Sequence, residues 1–324
     1  MSASDAAGTV VVLAGGTGGA KLARGMLDVV GPQRLTVIAN TGDDIEIYGA
    51  HVSPDPDLIT FWLADRIDAR GWGLDGDTFT VMEGLRELGE EVWFNLGDRD
   101  LAIGIRRAAA LCSGMRLTEA QAAVAAALGV PARVLPMSDQ PVRTRIQAAG
   151  RWWSLQEFLI RARGHGEIED VQFRGAGVAV PSIEVREALA GAAAIVVGPS
   201  NPVASIGPIL ALCGMREALS AAPAPVVAVS PLVGGEVLKG PTAAFMHWAG
   251  VEASTSGLAA LYDGLLDGLV CDQPVDGAPR PARGRAELAI LQADLLMDSA
   301  AARRELAAQT LAFANGLSRA RELG

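Results

Sequence analysis

Four aspartates fall within one short stretch: Asp43 and Asp44 close the run Asn40-Thr41-Gly42-Asp43-Asp44, and Asp55 and Asp57 sit in Ser53-Pro54-Asp55-Pro56-Asp57. Together they offer hard oxygen ligands. Mg2+ suits such a set, because it takes one or two carboxylates and leaves its other positions to water and substrate phosphate. The prolines are expected to hold 53–57 extended, so that the i, i+2 acids face one way. An Asp beside Pro or Gly also fits a turn, and on residue types alone that alternative stays open.

A second chemistry-bearing stretch, Gly15-Gly16-Thr17-Gly18-Gly19-Ala20-Lys21, follows the apolar run Val10–Leu13. Glycines let backbone N–H groups approach an anion, a following helix adds its positive end, and Lys21 adds a point charge, so phosphate is the expected ligand. The turn lacks the Lys-Ser/Thr pair of a Walker loop. Read as a dinucleotide fingerprint, it has Lys21 where the third glycine belongs, and a plain tight turn remains the alternative.

Two further clusters are less specific. Asn95-Leu96-Gly97-Asp98-Arg99-Asp100 sets a guanidinium between acids, suited to a phosphate or an acidic ring; the plainer reading is a helix start capped by Asp98 or Asp100. Gly198-Pro199-Ser200-Asn201-Pro202 offers a hydroxyl and an amide to a base edge or second phosphate, or is a simple turn. Met137-Ser138-Asp139 with Thr144 makes a weaker polar patch. His51, His165 and His247 have no Ser, Cys or Asp partner at a recognisable spacing and read as structural.

These clusters need a scaffold that brings them to one edge. Val10–Leu13, Leu35–Ala39, Ala194–Val197 and Val226–Val229 are nearly continuous apolar runs with helical stretches between or after them, the pattern of a parallel sheet covered on both faces. The expected fold is α/β: a Rossmann-like parallel sheet with helices on both faces. Acids after the second strand then lie at the carboxyl edge, where ligands bind. Residues 1–100 and 181–324 read as the nucleotide-binding core, and 101–180 as a smaller inserted cap. Within the cap, Glu119–Leu128 reads as a helix capped by Thr118 and Ala132–Leu135 as a short strand. Arg280–Arg285 reads as a basic connector before an apolar run at Leu288–Leu291.

At 324 residues, 50% hydrophobic and 20% charged, the chain has ample material for a core. A net charge of −10 opposes nucleic-acid binding. The start Met1-Ser2-Ala3-Ser4-Asp5 carries no basic region and the next apolar run is too short for a signal sequence, so a cytoplasmic location is expected. No membrane span is expected either, because Gly198–Pro202 breaks the longest uncharged run. Cys112, Cys213 and Cys271 suit buried thiols rather than a disulfide or zinc.

Six blocks in this order resemble one family: GGTGGAKLARG (15–25), NTGDD (40–44), SPDPD (53–57), LGDRDLA (96–102), MSDQPVRT (137–144) and GPSNPVASIGPIL (198–210). The resemblance is to the CofD-like 2-phospho-L-lactate transferases of deazaflavin coenzyme (F-420) biosynthesis, including phosphoenolpyruvate-using members. It implies Mg2+-dependent transfer from a guanosine diphosphate-activated 2-phospholactate, or its enolpyruvyl analogue, to the ribityl hydroxyl of the deazaflavin Fo, with release of GMP. By that likeness Asp57 and Arg99 contact Fo, and Asp44 and Asp57 bind metal and activate the hydroxyl, with Asp43 and Asp55 as further metal ligands. Gly15, Gly16, Thr17, Gly18, Gly19, Lys21, Ser200 and Asn201 then hold the nucleotide. A homodimer is also expected. Pro56 and Leu58 depart from the leucine and threonine common in relatives. The rival is a non-enzymatic nucleotide-sugar-binding regulator of the same fold, resembling the YvcK-like proteins, which should lack the SPDPD and LGDRDLA acids.

Overall fold

The computed structural model of the chain describes residues 8–238, 240–275 and 287–322. The Arg280–Arg285 connector and the Met1–Asp5 start lie outside the described residues.

The chain opens with β1 (Thr9–Ala14), α1 (Gly16–Val30) and β2 (Leu35–Ala39), then a hairpin of β3 (Ile45–Ile47) and β4 (Ala50–Val52). Helices α2 (Pro54–Leu63), α3 (Thr80–Glu87), α4 (Asp98–Cys112) and α5 (Leu117–Ala127) lead to β5 (Arg133–Pro136). Next come β6 (Arg143–Ala148), β7 (Arg151–Ser154), α6 (Leu155–Ile160) and β8 (Ile168–Arg174). The remainder runs α7 (Ile183–Ala190), β9 (Ala192–Val197), α8 (Ile206–Leu210), α9 (Met215–Ala221), β10 (Val226–Val229), β11 (Leu232–Val233) and β12 (Glu236–Val237). It ends in α10 (Thr242–Trp248), α11 (Thr255–Leu261), β13 (Gly268–Cys271), β14 (Ala289–Gln292) and α12 (Ala300–Glu322).

Seven strands pair in parallel in the order β14-β13-β10-β9-β1-β2-β5. The apolar runs are continuous because successive residues point to opposite faces and both faces are covered. Val10, Val12 and Ala14 of β1 pack with α1, α2 and α12, while Val11 and Leu13 pack with α7, α8, α9 and α11. The strand order reverses between β1 and β9, and the crevice at such a reversal is where open α/β sheets bind ligands.

The region set apart from this sheet is smaller than 101–180. β5 is an edge strand of the main sheet and α4 starts at Asp98, so what stands outside is the antiparallel sheet β7-β6-β8 with α6. Its apolar side buries Ile146, Phe158 and Val171 against Phe245 of α10. The hairpin β3–β4 forms another small cluster with α3 and α4 through Ala50, Val52, Met82 and Leu101.

Several local expectations need correcting. Residues 54–57 are not extended but open α2, since Pro at the first helical position is pre-set for the helix and Asp in the first turn favours its positive end. Helix α5 begins at Leu117, and its Thr118 N–H is accepted by Asp139 at 2.8 Å, so Thr118 is not its cap. Neither Asp98 nor Asp100 caps α4: Asp98 accepts from Thr80 and Val81 at the start of α3, and Asp77 accepts from Arg99 and Asp100. Cys271 is buried, whereas Cys112 ends α4 and Cys213 sits in a loop, both exposed.

Candidate active site

The loop after β2 and the first turn of α2 together carry the four aspartates, all buried. Asn40 sits at their centre. Its side-chain oxygen accepts from Gly42 N–H, and its amide donates to Asp55 Oδ2 at 2.9 Å and more weakly to Asp43 Oδ1 at 3.4 Å. Asp43 Oδ2 also accepts from Gln156 Nε2 of α6 at 3.0 Å, which ties the small antiparallel unit to the acids. Thr144 N–H donates to Gly42 O at 2.6 Å beside it.

Because residues 55 and 57 are helical, their side chains diverge. Asp55 turns to the glycine turn, where its Oδ1 accepts the Gly16 N–H at 2.5 Å. Asp57 turns the other way and receives the guanidinium of Arg107 on both oxygens. Asp44 is held by Ser53 Oγ at 2.6 Å and His51 Nε2 at 3.0 Å.

His51, which residue spacing left as structural, thus belongs to the site. β3 and β4 place it opposite Glu46, and its Nδ1 lies 3.2 Å from Glu46 Oε1. Burial pulls its pKa down, but bonds to Asp44 and Glu46 win and hold it up at about 9, an imidazolium at neutral pH. The missed signal was the alternation Ile45-Glu46-Ile47 and Ala50-His51-Val52 around Tyr48-Gly49, both at positive φ. Arg107 was also missed. It lies two turns beyond Arg99 on α4, among alanines, where only the fold reveals its partner.

The acids divide by how their charge is met. Asp44 and Asp57 face His51 and Arg107, whereas the hydrogen-bond partners of Asp43 and Asp55 are amides. Burial, then the charges of Asp55 and Asp44, raise the Asp43 pKa well above the carboxylate range, and burial pushes Asp55 up to about 6. Asp100, beside Asp57, is pushed up to about 7, again mainly by burial. Among the described residues no three His, Cys, Asp or Glu side chains are grouped to hold a metal by themselves.

The glycine turn is shaped by its neighbours. Gly16 has φ +63°, the left-handed region that favours glycine. A Cβ on Gly18 would overlap the carbonyl oxygen of Pro199, and one on Gly19 would reach Ser200 Oγ at 2.6 Å, so the loop after β9 lies directly on α1. Gly15 N–H donates to Ser200 Oγ at 3.1 Å, and Asn201 Oδ1 accepts from Val203 and Ala204 while its amide donates to Thr242. Ser200 thus ties this loop to the glycine turn, and Asn201 braces the loop and joins it to α10. Thr17 is half-buried in the first turn of α1. Lys21 Nζ lies 5.9 Å from the centre of the Trp62 ring, near the far end of α2 and roughly 10 Å along that helix from Asp55 at ~1.5 Å per residue. Arg99 is exposed at the start of α4, its Nη1 3.4 Å from Asp75 O.

No described helix is long and apolar enough to cross a membrane. In fold, the chain resembles the crystal structure of a UPF0052 family protein from Bacillus halodurans, with TM-score 0.58, 17% identity and 94% and 99% of the two chains covered. In sequence it is 39% identical over 299 residues to a 2-phospho-L-lactate transferase of Methanosarcina mazei, covering 92% of this chain and 98% of the relative. It is also 39% identical over 313 residues to a phosphoenolpyruvate transferase of Kitasatospora aureofaciens, covering 94% and 97%. The sequence model of 2-phospho-L-lactate transferase CofD matches residues 10–306. Matched across most of its length, the chain belongs to the CofD family and is a transferase of phosphate-containing groups.

Proposed function

We propose that this transferase moves a 2-phospholactyl or phosphoenolpyruvyl group from a guanosine diphosphate-linked donor to the ribityl hydroxyl of Fo, in coenzyme F-420 biosynthesis. The observation that carries the reading is the buried set Asp43, Asp44, Asp55 and Asp57 beside the glycine turn at the β1/β9 reversal. The hydroxyl oxygen forms a bond to the phosphorus that bears the organic acid, the bond from that phosphorus to GMP breaks, and the hydroxyl proton passes to a site carboxylate. Such a transfer needs positioning and charge neutralisation more than a covalent nucleophile.

Of the four acids expected to bind metal, Asp44 and Asp57 are already held by His51 and Arg107, so Asp43 and Asp55, whose hydrogen-bond partners among the described residues are amides, would be the ones to hold Mg2+, which would supply charge neutralisation at the donor phosphates. Asp44 and Asp57, fixed by His51, Ser53 and Arg107, are the oriented acids and would accept the hydrogen bond of the attacking hydroxyl. Arg99, exposed at the start of α4, would contact Fo. The glycine turn and the Ser200-Asn201 loop would shape the nucleotide cleft through backbone rather than through Lys21.

The test is a product assay with protein, Mg2+, Fo and each candidate donor, following GMP and the phosphodiester by mass spectrometry. Product is expected from one of the two donors. Nucleotide-sugar binding with no product from either would replace this reading by the regulator.

A further inference from the structure

We propose that Arg107 is the positioning residue of the acid site, aligning Asp57 directly and the His51–Asp44 pair through the backbone. The inference rests on the reading of these acids as the reacting centre.

Arg107 is the largest of the wholly buried side chains, 1% exposed, and it sits in the middle of α4. Its Nη1 donates to Asp57 Oδ2 and to the carbonyl oxygen of His51, both at 3.0 Å. Its Nη2 donates to Asp57 Oδ1 and, at 3.2 Å, to Gln121 Oε1 of α5. Gln121 in turn donates to Thr60 Oγ1 at 2.8 Å, and Thr60 donates to Pro56 O at 2.7 Å. The path from Asp57 through Arg107, Gln121 and Thr60 therefore closes back on the first turn of α2. The carboxylate is fixed from both sides.

The other arm of the fork reaches β4. His51 is the residue whose imidazole holds Asp44, so one guanidinium sets the spacing between Asp57 and Asp44. Helix α4 comes close enough because Gly104, one turn before Arg107, faces the strand: a Cβ there would lie 3.0 Å from Ala50 Cβ and 3.3 Å from His51 O. Lysine keeps the charge but has no planar fork, so it cannot bond both Asp57 oxygens while reaching His51 and Gln121.

The experiment compares wild type, Arg107→Lys, Gln121→Leu and Gln121→Glu for melting temperature, kcat, and KM of donor and Fo, with turnover expressed per folded molecule. Arg107→Lys is expected to lower kcat by about 10²-fold, the cost of an ångström-scale misplacement, with donor KM within about threefold. Gln121→Leu should do the same more mildly, and Gln121→Glu, which keeps the acceptor for Arg107, should recover part of the loss. If Arg107→Lys does not fold, the two Gln121 variants carry the test. Unchanged kcat per folded molecule in the variants that fold overturns the proposal and leaves Arg107 a fold-stabilising ion pair. No product from wild type with either donor overturns the transferase reading instead, and this inference with it.

Discussion

The glycine turn and the acid cluster meet at the same sheet edge, yet they are finished to different degrees. In the turn, Gly15 N–H has Ser200 Oγ, Gly16 N–H has Asp55, and Gly18 and Gly19 are pressed against the loop after β9. Its shape is settled by the protein's own groups. In the cluster, four buried carboxylates, Asp43, Asp44, Asp55 and Asp57, with the half-buried Asp100 beside Asp57, lie about two cations, His51 and Arg107. Burial holds Asp43, Asp55 and Asp100 toward their protonated forms, and once these ionise the carboxylates would outnumber the two cations and repel a phosphate unless a further cation came with it. The turn supplies form, and the cluster supplies buried acids that would gain from a cation when ionised.

The sharpest way to break this contrast is Asp43→Asn. Burial and its neighbours favour the protonated form of Asp43, so its contribution to stability is present at low pH and lost as pH rises above the ordinary carboxylate range. Asparagine removes the charge and keeps an oxygen for Gln156. We expect transferase turnover to fall by about 10²-fold or more while the melting temperature at pH 8 rises by about 2 °C or more, with a smaller rise at pH 5. A lower melting temperature at pH 8 would show that the charge is already compensated.

On the turn the expectation is reversed, because there the sequence serves packing. Gly18→Ala should cost about 1–3 kcal/mol by urea unfolding, since the new methyl meets a backbone oxygen that cannot swing aside. Gly16→Ala has open space around its Cβ but must hold φ +63°, at about 1–2 kcal/mol. Stability unchanged in Gly18→Ala would return that glycine to ligand approach alone.

Legibility followed the same division. The runs of β1, β2, β9 and β10 could be read because each is buried on both faces, so periodicity and burial agree. β13 was missed: Gly268-Leu269-Val270-Cys271 is short and opens on a glycine, leaving little pattern. The acids were visible as types, but their pairing was not. Whether Asp55 and Asp57 face together depends on whether 54–57 is helix or strand, and proline is compatible with both. Arg107 carries no local mark at all, since its partner lies 50 residues away.

Magnesium should sharpen the contrast by a moderate amount. The cation needs ionised carboxylates, and Asp55 is held up near 6, so Mg2+ must compete with protons below that pH. At ten times its dissociation constant, Mg2+ should stabilise the protein by about 1.4 kcal/mol at pH 7.5 and by clearly less at pH 5. Thermal shift with and without Mg2+ at the two pH values measures it, and equal shifts would place the ion elsewhere.

The smallest effect is expected at Lys21, and it bears on what the turn does. A phosphate-binding lysine should sit over the anion, but here the ammonium lies 5.9 Å from the centre of the Trp62 ring, which the guanidinium of Arg303 also approaches, at 5.1 Å. Trp62 belongs to α2, so this contact lies on the α1–α2 packing. Lys21→Met keeps the length that covers the ring and removes the charge, so the loss should be about 0.5–1 kcal/mol of stability. Donor KM should stay within about threefold, because the turn would hold phosphate by backbone and through metal. If KM instead rose by about a hundredfold with stability untouched, Lys21 would have to swing toward the donor on binding. The turn would then bring charge of its own, and the division between a turn that gives form and a cluster that gives charge would fail at this residue.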